Sequence, residues 1–501
     1  MKTTRTPSDR QPGARTDAAP PDVAPADAAP TDAAPTGPPR EPDHGSPPHA
    51  PLQPPLRTPL WDHRFSLYFA SRSVSMLGDA MMPVATALAV GALYGISGVG
   101  LVLGVWTGTF VLLVLFGGVF ADRFGARRMM VGADFVRVLT QGVLAAAFFT
   151  GTPPFWLLVT MAALAGAAVA MFLPGVNGMV PLVAREPQRA NATLKVADAL
   201  AHLLGPALAG LLITVTGAGT VYAIDAGTFL ISALCLGLIR LDPRGTVGAA
   251  GAGRKEADSD SGAGSSPGSG GFGSAGGRAE GKGRSGGEGR SAGSLRSDLR
   301  QGWREFKART WMWSVILIWV FFGMLVFGPL VPIGSALIGD RLGPDAYGLT
   351  VSFLGAGTVL GGLVALRVRP ARPLAAGAVA MLLYTAMPLA IALDAGLPLL
   401  LTGHALAGGG LAFWSVMWAT SVQTHTPPEV LNRVTAYELA GSVAGIALGQ
   451  ILAGPATALA PPERLLLVSA ATCLLGCTAL LTIPAIRALR RPTRPTTPTT
   501  P

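Results

Sequence analysis

The chain has 501 residues, half of them hydrophobic and only 13% charged, with a formal net charge of +10. A soluble domain carries about 25% charged residues, so this composition excludes an ordinary soluble protein and indicates an integral membrane one. The basic excess does not point to nucleic acid, because the cations stand in short loops between apolar runs.

Residues 1–60 are rich in Pro, Ala and Asp, with DAAP recurring at 17, 27 and 32. Such a segment buries too little apolar surface to repay ordering and is read as a disordered cytoplasmic tail. The first apolar run opens near residue 65, too late for a cleaved leader, so the first span is expected to be retained. Six apolar runs follow within 61–240, at 65–93, 98–120, 129–149, 155–180, 193–215 and 219–239. Residues 241–310 form a Gly/Ser-rich linker, ending where Leu299, Trp303 and Phe306 recur among cations as an amphipathic helix on the membrane surface. Six more runs fill 311–487, at 312–338, 346–366, 374–394, 398–421, 433–459 and 464–486, before a cytoplasmic tail at 488–501. Each run is long enough to cross a hydrocarbon core of about 30 Å as a helix. The three cysteines, Cys235, Cys473 and Cys477, all lie in such runs; no disulfide framework and no metal site is expected.

Lys and Arg collect on one side, from Arg123, Arg127 and Arg128 through Arg185, Arg189 and Lys195 to Arg367, Arg369, Arg372, Arg433 and Arg487. The other side has essentially Arg341 and Arg464. By the positive-inside rule both termini and the linker are cytoplasmic in a multi-pass protein of the plasma (inner) membrane. GGVFADRFGARR (117–128) lines up with GGLVALRVRPAR (361–372), where Leu366 replaces Asp122. The repeat predicts two six-helix halves, a plan common among secondary transporters.

The segment from Gly118 through Asp122, Arg123, Gly125, Arg127 and Arg128 resembles the signature loop between helices 2 and 3 of the major facilitator superfamily. LGPALAG (204–210), with Gly205, Pro206 and Gly210, resembles the end of a helix-5 motif of its antiporter branches. SMLGDAMM (75–82), FLPGVNGMVPLV (172–183), RANATLKVADAL (189–200) and AIDAGTFLISAL (223–234) look like its twelve-span drug-efflux branch, which includes macrolide and enterobactin exporters. The resemblance implies an all-α membrane fold of 12 helices and a loop that latches the halves on the cytoplasmic side, with helix 11, near Asn432 and Arg433, as partner. Read from the residues alone, Gly118 allows close helix approach, Gly125 permits a positive φ, and Asp122 faces the positive end of a helix.

Charges inside spans need a reason, since each costs about 2.5–3.5 kcal/mol on insertion scales. Asp79 lies mid-span with Arg72 two turns earlier; it is a candidate for a coupling proton or a cationic substrate, or a structural hydrogen-bonding residue. Asp134 and Arg137 have ion-pair spacing and are assigned to the latch network, with Glu438 as its cross-half partner. Asp225, placed toward the outer third of its span, is a proton candidate or structural. His404 is a titratable candidate, or a packing histidine. The resemblance departs at span 4, which lacks the arginine of many proton-driven drug antiporters and so leaves the coupling mechanism open. It also implies a cavity lined by helices 1, 4, 7 and 10; Phe321, Phe322 and Met324 in span 7, and Trp414, Met417 and Trp418 in span 10, are its candidates, with packing as the alternative reading.

No nucleophile elbow, metal cluster or nucleotide-binding domain is visible, and Gly276–Lys282 only imitates a phosphate loop. The sequence therefore predicts no enzyme and no cofactor. It predicts a monomeric exporter of drug-like or secondary-metabolite molecules, lipophilic in character, driven by proton entry through rocker-switch alternation of the two halves. A siderophore or dedicated metabolite exporter, and a non-transporting sensor with the same fold, are the alternatives.

Overall fold

In hydrocarbon every backbone N–H and C=O has to be bonded within the protein, and the apolar runs of this chain meet that demand as helices. A computed structural model describes residues 61–184, 186–239, 310–425 and 428–489, with side chains other than those of 115–122, 177, 310 and 428–440. The two tails, the linker and the amphipathic segment around Trp303 lie outside the described residues. Everything described falls within Thr58–Pro501.

Helix α1 spans His63–Phe124, but Gly95 at φ 62° and ψ −166° is not helical, so α1 consists of two arms. A side chain at that φ would be strained, which is why the turn between the first two apolar runs falls on glycine. Gly125, at φ 84°, makes the second turn, into α2 (Ala126–Thr150). Then follow α3 (Phe155–Val183), α4 (Pro187–Thr216) and α5 (Ala218–Leu238). After the linker, α6 (Thr310–Phe322) passes through a π turn (Gly323–Phe327) into α7 (Gly328–Leu342). The remainder is α8 (Pro344–Arg367), α9 (Pro373–Met381), a 3-10 turn (Leu382–Thr385), α10 (Ala386–Ala392), α11 (Leu397–His425), α12 (Pro428–Thr457), α13 (Pro462–Thr482) and α14 (Pro484–Ala488). Pro187, Pro344, Pro373 and Pro462 each open a helix in the first turn, where the missing N–H has no intrahelical partner to lose.

Among the described residues 10 segments are long and apolar enough to cross a membrane, with His63–Val114 counted once despite the break at Gly95. Helices α1 to α5 pack on one another, and α6 to α13 do likewise. The groups meet where α1 touches α7 and α12, and where α4 touches α8. Glycine makes these crossings possible. A Cβ on Gly100 would lie 2.2 Å from the Gln450 carbonyl oxygen, and one on Gly348 would lie 2.4 Å from that of Pro206. Thr107 Oγ1 donates to Gln450 Oε1 at 2.8 Å, and the Ala207 N–H donates to Ser352 Oγ at 2.9 Å. These crossings lie between mid-helix and the Gly95 end of the bundle.

Candidate functional site

At the Gly125 end, Arg127 reaches back to the last turn of α5. Its Nε donates to the Leu236 carbonyl at 2.8 Å and its Nη2 to that of Gly237. A cation on carbonyls that no longer have helical partners satisfies them and complements the negative end of the helix dipole. Arg123 lies over the Phe124 ring and Arg128 is exposed. The side chains of Asp122 and Glu438, and the surroundings of Gly118, lie outside the described residues.

Asp134 and Arg137, expected with that loop, stand two turns further along α2 in a different network. Arg137 is 3% exposed, and its Nη1 lies 3.6 Å from Asp79 Oδ2 and 3.7 Å from Asp134 Oδ1. Its guanidinium carbon sits 4.6 Å from the centroid of Phe172 and 4.8 Å from that of Phe229, so two aromatic faces sandwich it. Guanidinium is weakly hydrated and stacks on rings, which is what lets an arginine be held here. Arg72 approaches Phe172 as well, at 5.2 Å. Ser232 Oγ donates to Asp134 Oδ2 at 2.6 Å, so its contact of 2.8 Å with Ser71 Oγ has Ser71 as donor. Asp225, about a third of the way along α5, stands against the first arm of α1: a Cβ on Gly78 would lie 2.2 Å from Asp225 Oδ1.

Asp79 differs from its neighbours in facing open space. Its side chain is 42% exposed and it lines a cavity of about 400 Å³. Arg137 and Gln141 line the same cavity, with Trp106, Met161, Tyr222 and Phe229 among its apolar walls. Val331 of α7 and Gln450 of α12 close it from the second helix group. The arrangement combines a hydrophobic container with one accessible carboxylate and one buried counter-ion behind it.

The remaining candidates fall elsewhere. Phe321, Trp414, Met417 and Trp418 do not line this cavity. Trp414 and Trp418 are buried, stacked on each other at 6.3 Å, with Trp319 5.7 Å from Trp414 and Trp311 5.7 Å from Trp418, because large rings hide most area against one another. Met417 is buried beside Phe413, whereas Phe321 is half-exposed. Phe322 is buried against Phe327, and Met324 lends its carbonyl oxygen to the close approach of Gly449. His404 is buried with Nδ1 2.7 Å from the Leu400 carbonyl, a contact within its own helix. The helix-5 residues serve packing: Gly205 abuts Ala80 of α1, while Pro206 and Gly210 abut Gly348 of α8.

Residues not singled out from the sequence prove central here. Phe172, Phe229, Ser232, Thr107 and Gln450 all hold the cluster or close the cavity. Asp225, Phe229 and Ser232 recur at i, i+4 and i+7, a helical face that was visible in the sequence.

Residues 67–449 match the family model of the Major Facilitator Superfamily. Macrolide efflux protein A of Streptococcus pyogenes is 24% identical over 190 residues, which is 37% of this chain and 46% of that protein. An MFS-type transporter of Bacillus subtilis is 28% identical over 187 residues, 36% of this chain and 44% of the relative. The chain thus spans less than half the length of the curated relatives it matches. Among solved structures, a nucleoside transporter superposes with a TM-score of 0.63 at 11% identity, covering 86% of this chain and 100% of its own. A D-xylose–proton symporter superposes with a TM-score of 0.59 at 11% identity, covering 85% and 99%.

Proposed function

This chain belongs to the Major Facilitator Superfamily and is a transporter rather than an enzyme, and from that premise we propose that it exports lipophilic, drug-like molecules in exchange for protons. The observation that carries the reading is Asp79, a carboxylate exposed to an apolar cavity and ion-paired with buried Arg137. An accessible acid held by a shared counter-ion can exchange a proton for a substrate contact without stranding a charge. The apolar walls suit a lipophilic body, and the macrolide efflux relatives support the direction of transport.

On this reading the first helix group carries six spans, since Gly95 divides α1, and the second carries six, with α12 among them. The basic Gly125 end is cytoplasmic. The glycine crossings close the outer end, and the loop around Asp122, Gly125 and Arg127 controls the inner one. Alternation between two closures needs contacts of a few kcal/mol each, enough to bias a population without freezing it.

Everted membrane vesicles test the reading, loaded externally with macrolides, lipophilic dyes and siderophores and energised by an acid interior. Accumulation of the lipophilic compounds that collapses with a proton ionophore is expected. Uptake indifferent to the ionophore would overturn antiport, and accumulation of siderophores alone would overturn the substrate class.

A further inference from the structure

We propose that the coupling proton resides on Asp225, with cavity-facing Asp79 as its exchange partner and Arg137 as the positioning residue that moves between them; this rests on the proton-antiport reading above. Asp225 is fully buried. Gly78 leaves a notch that its carboxyl fills, since any Cβ there would meet Oδ1 at 2.2 Å. Thr228 Oγ1 is 3.4 Å from that oxygen but bonds the Asp225 carbonyl at 2.7 Å, so the carboxyl receives little from it. Oδ2 has no hydrogen-bond partner, and among the described residues no cation stands within ion-pair distance. A carboxylate whose partners are one long hydroxyl contact and the Gln141 amide, with no cation, is costly to bury, whereas a neutral acid is tolerated. Asp134 is equally buried yet receives Ser232 and the approach of Arg137.

The groups around Asp225 fix the proton count. The first arm of α1 presents Arg72 and Asp79, α2 presents Asp134, Arg137 and the amide of Gln141, and α5 itself presents Tyr222. At the cavity, α4 adds His202, which faces Asp198 at 3.7 Å. The cluster of Arg72, Asp79, Asp134, Arg137 and Asp225 has one carboxyl more than it has guanidiniums. It is neutral when it holds one proton, and the carboxyl without a cation is where that proton belongs.

Arg137 is built to move. Its Nη1 and Nε lack hydrogen-bond partners, and its two carboxylate contacts, at 3.6 and 3.7 Å, are longer than direct bonds. Its flat group can slide between the Phe172 and Phe229 rings without leaving them, and Phe229 is one helical turn from Asp225 on α5. In the transfer step the O–H bond of Asp225 breaks and its electron pair stays on the carboxylate oxygen. The proton passes to the Asp79 carboxylate, and Arg137 shifts from the newly neutral Asp79 to the newly charged Asp225. The protonated Asp79 then releases to water on the side to which the cavity opens.

Infrared difference spectroscopy on the purified full-length protein at neutral pH reads the carbonyl band of a protonated carboxyl, which deuterium shifts. One such band is expected in the wild type, lost in Asp225→Asn, displaced in Asp225→Glu, retained in Asp79→Asn, and strengthened in Arg137→Gln, where an acid loses its counter-ion. A wild type without the band, or a band that survives unchanged in Asp225→Asn, overturns the assignment. If Asp225→Asn fails to fold, an undisplaced band in Asp225→Glu does the same. The transport arm follows radiolabelled erythromycin in everted vesicles, where Asp225→Asn is expected to lose ionophore-sensitive accumulation. Sensitivity retained in that variant overturns the inference alone, whereas a wild type insensitive to the ionophore overturns the antiport reading and the coupling role with it.

Discussion

The two helix groups bury different chemistry. In α1 to α5 the core holds Asp134, Arg137 and Asp225, with Arg137 joined to Asp79 and Asp134 and flanked by two phenylalanine rings. In α6 to α13 it holds Trp311, Trp414 and Trp418 packed on their neighbours, with His404 satisfied by its own helix. Charge retained in a membrane interior is expensive and has to be used, whereas aromatic area is stabilising without further function. On the proposed reading, coupling belongs to the first group, and the second acts as the apolar body against which it moves. The repeat at 361–372 fits this division, because it keeps the cations that set topology and has Leu366 in place of the acid.

The comparison breaks if charge in the first group is dispensable. Arg137→Leu strands Asp79 and Asp134, and removing one partner of a buried pair costs about 3–5 kcal/mol; thermal unfolding of the purified protein is expected to drop accordingly, together with all transport. Wild-type stability in that variant would reduce the cluster to ordinary packing. Next in size is the seam between groups. Gly348→Leu drives a side chain into the Pro206 carbonyl of α4, an overpacking cost of about 1–3 kcal/mol against the closed outer end, or roughly a 5- to 150-fold population shift. Spin-label distances across the Gly95 end should lengthen. Arg127→Gln removes the cation from the carbonyls of Leu236 and Gly237, worth about 0.3–2 kcal/mol at a helix C-terminus; protection of the last turn of α5 in hydrogen exchange should fall while the cavity is unaltered. His404→Gln should be the mildest, near the ~1 kcal/mol of one hydrogen bond, and should leave the pH profile of transport where it was. A displaced profile would place proton chemistry in the second group.

Much of the helical frame was legible because hydrophobic run length alone decides it in a membrane, and Gly125 marked a turn that the structure places at φ 84°. The apolar run at 129–149 falls inside α2, and that at 219–239 matches α5 but for its last residue. The site was legible only in part. Asp79, Arg72, Asp134, Arg137 and Asp225 drew notice as charges in apolar surroundings, yet sequence spacing relates residues on one helix and says nothing of which helices meet. Arg137 therefore looked like a companion of the loop that ends nine residues earlier at Arg128, whereas packing of α2 on α1 and α5 brings it to Asp79. Trp414 and Trp418 show the converse. Their spacing defines a face correctly, but whether that face meets a cavity or Trp319 and Trp311 depends on tertiary packing.

The central claim is that a cavity carboxylate joined to Arg137 links transport to protons. Erythromycin accumulation in everted vesicles, measured for the wild type and Asp79→Asn with and without a proton ionophore, addresses it most directly. Ionophore-sensitive accumulation is expected in the wild type, with its loss in Asp79→Asn at equal membrane expression. Equal, ionophore-sensitive accumulation in both proteins would contradict it.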